Sequence, residues 1–148
     1  MSGRYSVIYA DPPWRYQCNV GQGVAENHYN TMSMDELKAL PVGDLAAKDC
    51  ALFLWITGPM LNQVWTLLDA WGFQYKTMAF VWVKVNKKDY SLFTGLGWWT
   101  RANVELCLLA VKGRPKRQNM ILVWLIRYWQ SMAFPFLSVQ RQASPIRA

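Results

Sequence analysis

Asp11-Pro12-Pro13-Trp14 is the stretch of this chain whose residue types and order can do chemistry. An ionised carboxylate only accepts hydrogen bonds. Two successive prolines fix φ and offer no backbone N–H, and an indole follows them. Together they can grip a flat polar ring that carries an amine. Such an amine is a poor nucleophile, because its lone pair is delocalised into the ring. With one N–H on Asp11 and the other on the Pro12 carbonyl, the nitrogen is drawn toward a tetrahedral shape with an available lone pair. Pro13 fixes the turn, and Trp14 can stack on the ring, a contact worth roughly 1–3 kcal/mol per base. A nucleic-acid base used in this way must be single-stranded or flipped from its duplex. The same four letters also suit a plain rigid turn with a packing tryptophan, since Asp-Pro is a common turn opener.

The surrounding elements decide whether the tetrapeptide is well placed. Tyr5–Ala10 reads as a first strand with β-branched centres, so Asp11 leaves its carboxyl end. Residues 15–30 lack apolar periodicity and read as a long loop, of a length that is usually functional or disordered. Ser33 and Glu36 have capping-box spacing at the start of a helix carrying Leu37 and Leu40 and stopped by Pro41. A short segment, 42–48, precedes an apolar strand at Cys50–Ile56. Met60–Trp71 reads as an amphipathic helix with Leu61, Val64, Trp65, Leu68 and Trp71 on one stripe and Gly72 as its stop. Tyr75–Lys84 and Val104–Lys112 read as strands separated by a second long loop, 86–101. This alternation predicts an α/β fold with a mostly parallel sheet, right-handed crossovers and helices on both faces. In such open sheets ligands sit at the carboxyl ends of the strands, where Asp11 and both loops lie.

Composition narrows the class. An apolar share of 53% and a charged share of 17% in 148 residues describe one globular domain and exclude a disordered chain. Cys18, Cys50 and Cys107 fit neither a disulfide framework nor a zinc spacing, so they read as reduced thiols of a cytoplasmic protein, with no metal site. His28, in a polar loop, reads as solvated and not as a general base. The longest apolar runs are too short to span a bilayer, and no membrane association is expected. All nine acids lie in residues 1–105, where nine bases balance them. The net charge of +7 therefore sits entirely after Glu105, in a segment able to bind nucleic-acid phosphate.

Val7 to Trp14 resembles the signature of the MT-A70-like adenine-N6 methyltransferases, most closely the small phage and bacterial members acting on DNA. The likeness continues in order through Tyr29-Asn30-Thr31-Met32-Ser33, Leu52-Phe53-Leu54-Trp55, Ala70-Trp71-Gly72-Phe73 and Val81-Trp82-Val83-Lys84. It then runs from Trp99 to Leu108, through Arg101, Asn103 and Glu105, and ends at Gly113-Arg114-Pro115. The resemblance implies a Rossmann-like fold and methyl transfer from S-adenosylmethionine to the N6 amine of adenine in nucleic acid, DNA before RNA, without a covalent intermediate. It also implies that Asp11 to Trp14 are catalytic, with Asp11 and Pro12 touching the cofactor. Tyr29, Asn30, Lys84, Arg101, Asn103 and Glu105 then fall on the substrate side, and a partner subunit or homodimer is possible in the family.

Past Asn119 the resemblance stops. The family's later motifs, which supply much of the cofactor pocket, have no counterpart in 120–148, where there is no acid and no glycine. The expected organisation is a catalytic and substrate part at 1–119 and a divergent or frameshifted tail at 120–148, leaving the fold incomplete at its C-terminal end. Either the tail completes the sheet differently, with Met120–Trp129 as a strand, or the reading frame has changed near Asn119. The loss of acids and glycines favours the second. The competing function is then a non-catalytic copy that binds nucleic acid or a partner subunit.

Overall fold

Pairing of Tyr5–Ala10 with a second, longer strand begins the architecture. The computed structural model describes residues 5–15, 31–86, 88–95 and 99–116, and the backbone of 137–140. Its elements are β1 (Tyr5–Ala10), α1 (Met34–Ala39), α2 (Val42–Leu45), β2 (Ala46–Ile56), α3 (Val64–Trp71), β3 (Gln74–Val83), β4 (Val104–Lys112) and β5 (Leu137–Gln140). A single 3-10 turn, Gly58–Met60, joins β2 to α3.

The sheet order is β3-β4-β2-β1-β5. β1 and β2 pair in parallel, whereas β2–β4, β3–β4 and β1–β5 are antiparallel. It follows that β1, β2 and β3, the strands joined through helices, run the same way, as the alternation predicts, but the described sheet is mixed and not mostly parallel, with one parallel ladder and three antiparallel ones. β4 enters between β2 and β3 in the opposite sense. Among the described residues no helix lies between β3 and β4, and an antiparallel neighbour needs no crossover. β5 adds an edge strand to β1 from within the tail, while Met120–Trp129 lies outside the described residues.

Local sequence explains the element ends. Ser33 accepts from the Glu36 backbone N–H, and the Glu36 carboxylate accepts from the Ser33 backbone N–H at 2.7 Å, a complete capping box. Gly72 stops α3 at φ +74°, and Gly113 ends β4 at φ +67°, both in the left-handed region open to glycine. The helix before Gly72 is shorter than expected: residues 61–63 form turns. Leu61, in those turns, is exposed, and so is Trp65 on the outer side of the helix, while Val64, Leu67, Leu68 and Trp71 are buried.

One buried cluster joins Leu37, Val42, Val64, Leu67, Leu68 and Trp71 to alternate strand residues. These are Ile8 and Ala10 of β1, Cys50, Leu52, Leu54 and Ile56 of β2, and Leu108 and Ala110 of β4. The Trp71 indole N–H donates to the Leu37 carbonyl at 2.9 Å, locking α3 to α1. Alternation along a strand assigns that cluster to one sheet face. All three described helices belong to it, so the expectation of helices on both faces is met on one face among the described residues. Val7, Tyr9, Phe53 and Trp55 lie on the other face, where Phe53 and Phe80 stack with ring centroids 6.0 Å apart.

Candidate active site

Four chain segments converge at one end of the sheet. In the observed register the last β1–β2 pair is Ala10 with Leu54, and the β2–β4 ladder reaches Ile56 opposite Leu106. The β3–β4 ladder places Trp82 opposite Glu105 and Val83 opposite Val104. Asp11, Thr57, Lys84 and Glu105 therefore leave or enter the sheet at the same end.

The tetrapeptide is a tight turn. The Pro12 carbonyl accepts the Trp14 backbone N–H at 2.8 Å, a γ-turn centred on Pro13. The Pro13 carbonyl accepts from the Met32 N–H at 2.8 Å, and Met32 returns its own carbonyl to the Arg15 N–H at 3.2 Å. The Arg15 guanidinium also donates to the Thr31 hydroxyl and carbonyl at 3.2 and 3.1 Å. These bonds tie Pro13 and Arg15 to Thr31 and Met32. The Pro12 carbonyl, with two lone pairs, can still take a second donor.

Trp14 departs from expectation. It is 4% exposed, part of the core cluster, and its indole N–H donates to the Trp55 carbonyl at 3.1 Å. A ring packed in this way anchors the turn and has no open face on which a base could stack. Trp82, opposite Glu105 and 40% exposed, is the accessible indole at this end of β3.

Asp11 stands at the tip of β1, exposed on one side, and no group among the described residues donates a hydrogen bond to it or pairs with it as a cation. The protein mass around the tip desolvates its carboxyl and, with the Glu105 charge adding repulsion, pushes it up to about 6. Burial also pushes the Cys107 thiol up to about 12, with Asp11 contributing, and the Tyr9 phenol up to about 12. Glu105 has its own counter-ion, the Lys84 ammonium 2.5 Å away, with both side chains partly exposed. Lys84 lies 5.2 Å from the Trp82 ring centre, and its backbone N–H donates to the Asn103 side-chain carbonyl at 2.7 Å.

The structure thus brings Asp11, Pro12, Lys84, Asn103 and Glu105 to one sheet end. Arg101 is exposed in the loop entering β4 and makes no hydrogen bond or ion pair with them. Tyr29 and Asn30 lie outside the described residues, as do Cys18 and His28. Cys50 and Cys107 are buried free thiols. The second long loop holds more structure than expected. It begins as a small hairpin, with Val85 bridged to Leu92 and Tyr90, at φ +56°, exposed at its tip.

Two residues escaped the sequence reading. Tyr9 accepts a hydrogen bond from the Trp55 indole, a contact across 46 positions that no local pattern announces. Thr57 holds a buried hydroxyl with no partner among the described residues; a polar residue ending an apolar strand was its only signal.

Comparison with known proteins identifies the family. The MT-A70 family profile matches residues 5–125. The chain belongs to the MT-A70 family. It is 36% identical to the type II methyltransferase M.MunI of a Mycoplasma species, over 75% of this chain and 52% of that protein. It is 36% identical to an N(6)-adenosine-methyltransferase MT-A70-like protein of Drosophila melanogaster, over 79% of this chain and 18% of the relative. Identity to the human N(6)-adenosine-methyltransferase catalytic subunit METTL3 is 34%, over 79% and 19% respectively. This MT-A70 chain therefore spans about half the length of its Mycoplasma relative and under a fifth of these two animal relatives. Among the described residues, no helix is long and apolar enough to cross a membrane.

Proposed function

We propose that this chain carries the amine-gripping part of an S-adenosylmethionine-dependent methyltransferase that acts on the N6 amine of adenine in nucleic acid. The observation that carries this reading is Asp11: a carboxylate at a strand tip, without a donor among the described residues, on the residue next to Pro12, whose carbonyl closes the turn. An acceptor left open in a partly desolvated place favours a ligand with N–H groups or positive charge. An adenine amine offers two N–H groups, one for Asp11 and one for Pro12.

When bound, S-adenosylmethionine supplies an electrophilic methyl group on a sulfonium. Of the described residues, Asp11 and Pro12 are those expected beside it, and the open carboxylate suits a positively charged ligand. The chain's own work is to orient the amine, with Asp11 positioned as acceptor and Glu105 held in place by Lys84. Trp82, Lys88 and Arg101 border the same end and suit a polymer with bases and phosphates. We favour DNA, because the chain resembles small phage and bacterial members and spans far more of M.MunI than of the animal proteins. The buried free thiols suit a cytoplasmic setting in a bacterial or phage-infected cell. A second subunit, like or unlike, is compatible with how little of the longer relatives this chain spans.

Mass spectrometry of nucleosides from DNA and RNA incubated with the chain and S-adenosylmethionine tests the reading. N6-methyladenine should form and should vanish in Asp11→Ala. Product no higher than in that variant overturns catalysis by this chain. Salt-dependent oligonucleotide binding without a heat of cofactor binding would then mark the non-catalytic alternative.

A further inference from the structure

The peptide that carries Asp11 is poorly served by the sheet. The β1–β2 ladder stops at Ala10–Leu54, and Pro12 and Pro13 have no N–H with which to extend it. Among the described residues, the γ-turn and the two Met32 bonds hold the turn through its backbone. One residue of β2 makes up the difference. Trp55 follows Leu54, so it falls opposite Asp11 if the register is continued. Its indole N–H donates to the Tyr9 hydroxyl, two positions before Asp11. Its carbonyl receives the Trp14 indole N–H at 3.1 Å, three positions after Asp11. Trp55 itself is 5% exposed, so neither bond competes freely with water.

We propose that Trp55 is a positioning residue for the amine-gripping turn, fixing Asp11 by holding Tyr9 on one flank and Trp14 on the other. The proposal rests on the reading of Asp11 as the amine's acceptor and adds what sets its place. The two flanks act through different groups of Trp55, so they can be cut separately. Tyr9→Phe and Trp55→Phe each remove the same bond from opposite sides and leave the carbonyl that holds Trp14. Neither changes a charge where Asp11 titrates, because the phenol keeps its proton far above that range. Tyr9 itself is the one titratable neighbour that changes, and among the described residues Glu105, Lys84 and Cys107 are untouched by both substitutions.

The full chain is studied by NMR, reading the Asp11 carboxyl titration and the backbone amide shifts of Asp11 and Trp14. Positioning predicts that both variants displace the Asp11 midpoint in the same direction, by about half a unit or more, and that the double variant adds less than the sum of the two. A role confined to packing predicts lower thermal midpoints with Asp11's titration and the neighbouring amides unmoved, and that result overturns the proposal. Where the wild-type chain shows Asp11-dependent product, both variants should lower kcat by about tenfold or more, with the oligonucleotide KM within about twofold. Unchanged kcat there also overturns it. Absence of Asp11-dependent product from the wild type counts against the proposed function alone, because the titration reads the turn without turnover.

Discussion

The ionisation of Asp11 is the most exposed consequence of the site. Its folded-state midpoint of about 6 lies above its ordinary value of 3.8, so at pH 7 the group is about nine-tenths ionised and at pH 5 about nine-tenths protonated. If the ionised form grips the amine, turnover should fall about tenfold between pH 7 and pH 5, a range in which an ordinary aspartate would change little. Desolvation is the larger cause of the shift and Glu105 the smaller. Glu105→Gln should therefore lower the midpoint without restoring 3.8. Lys84→Met should raise it, because the Glu105 charge loses the ammonium 2.5 Å away.

The same shift has a signed effect on stability. A folded midpoint above the unfolded one means that the native state holds the proton more tightly. Its stabilising contribution is complete below pH 3.8 and is lost as pH rises through about 6. Two units would amount to about 3 kcal/mol for a wholly buried group. Asp11 is open to water on one side, and screening reduces the expected effect to about 1 kcal/mol. Asp11→Asn should thus match the wild type at pH 4 and exceed it by about that amount at pH 7 in urea unfolding. Carboxyl NMR checks the midpoint directly. A midpoint near 3.8, or one unmoved by Glu105→Gln, would refute the electrostatic account.

Other substitutions test the scaffold. Trp14→Phe keeps an aromatic ring but strips the Trp55 carbonyl of its donor at a buried place, and should cost about 2 kcal/mol in urea unfolding. Gly113→Ala meets both φ +67° and a Cβ placed 2.3 Å from the Lys48 carbonyl oxygen. It should destabilise by more than Gly72→Ala, where φ is +74° but nothing lies within 4 Å and the cost is about 1–2 kcal/mol. Thr57→Val replaces a buried, unpartnered hydroxyl by a methyl group, and should leave thermal stability unchanged or raise it by about 1 kcal/mol.

What could be read from the sequence was local. The exit of Asp11 from β1, the Ser33–Glu36 box and the Gly72 stop depend on residues within a few positions of one another, and each appears as expected. The orientation of Trp14 depends on a carbonyl 41 positions away, so its letter alone allowed either a stacking surface or an anchor. The insertion of β4 between β2 and β3 has the same character, because strand order is decided by which edge the chain returns to. The long helix-free link from β3 to β4 was a usable hint, since parallel neighbours need a crossover. Lys84 and Glu105 were both placed near the site by resemblance, but their direct pairing required the β3–β4 register.

That pairing bears on how the site could assist methyl transfer. At neutral pH the two carboxylates of Asp11 and Glu105 against the one ammonium of Lys84 leave, among the described residues, about one net negative charge at the sheet end. An amine that attacks a methyl group becomes positively charged before it sheds a proton, so a fixed negative charge beside it is worth most at that moment. Had Lys84 neutralised Asp11 instead, the pocket would hold the neutral amine equally well but lose this preference for the charged state. Among the described residues the arrangement keeps the cation on Glu105 and leaves Asp11 open, which ties the turn's usefulness to a partner three strands along the chain. Lys84→Met and Glu105→Gln therefore separate two quantities, the site's net charge and Asp11's own proton. If turnover followed only the Asp11 midpoint in both variants, charge balance at the amine would have no part in the reaction.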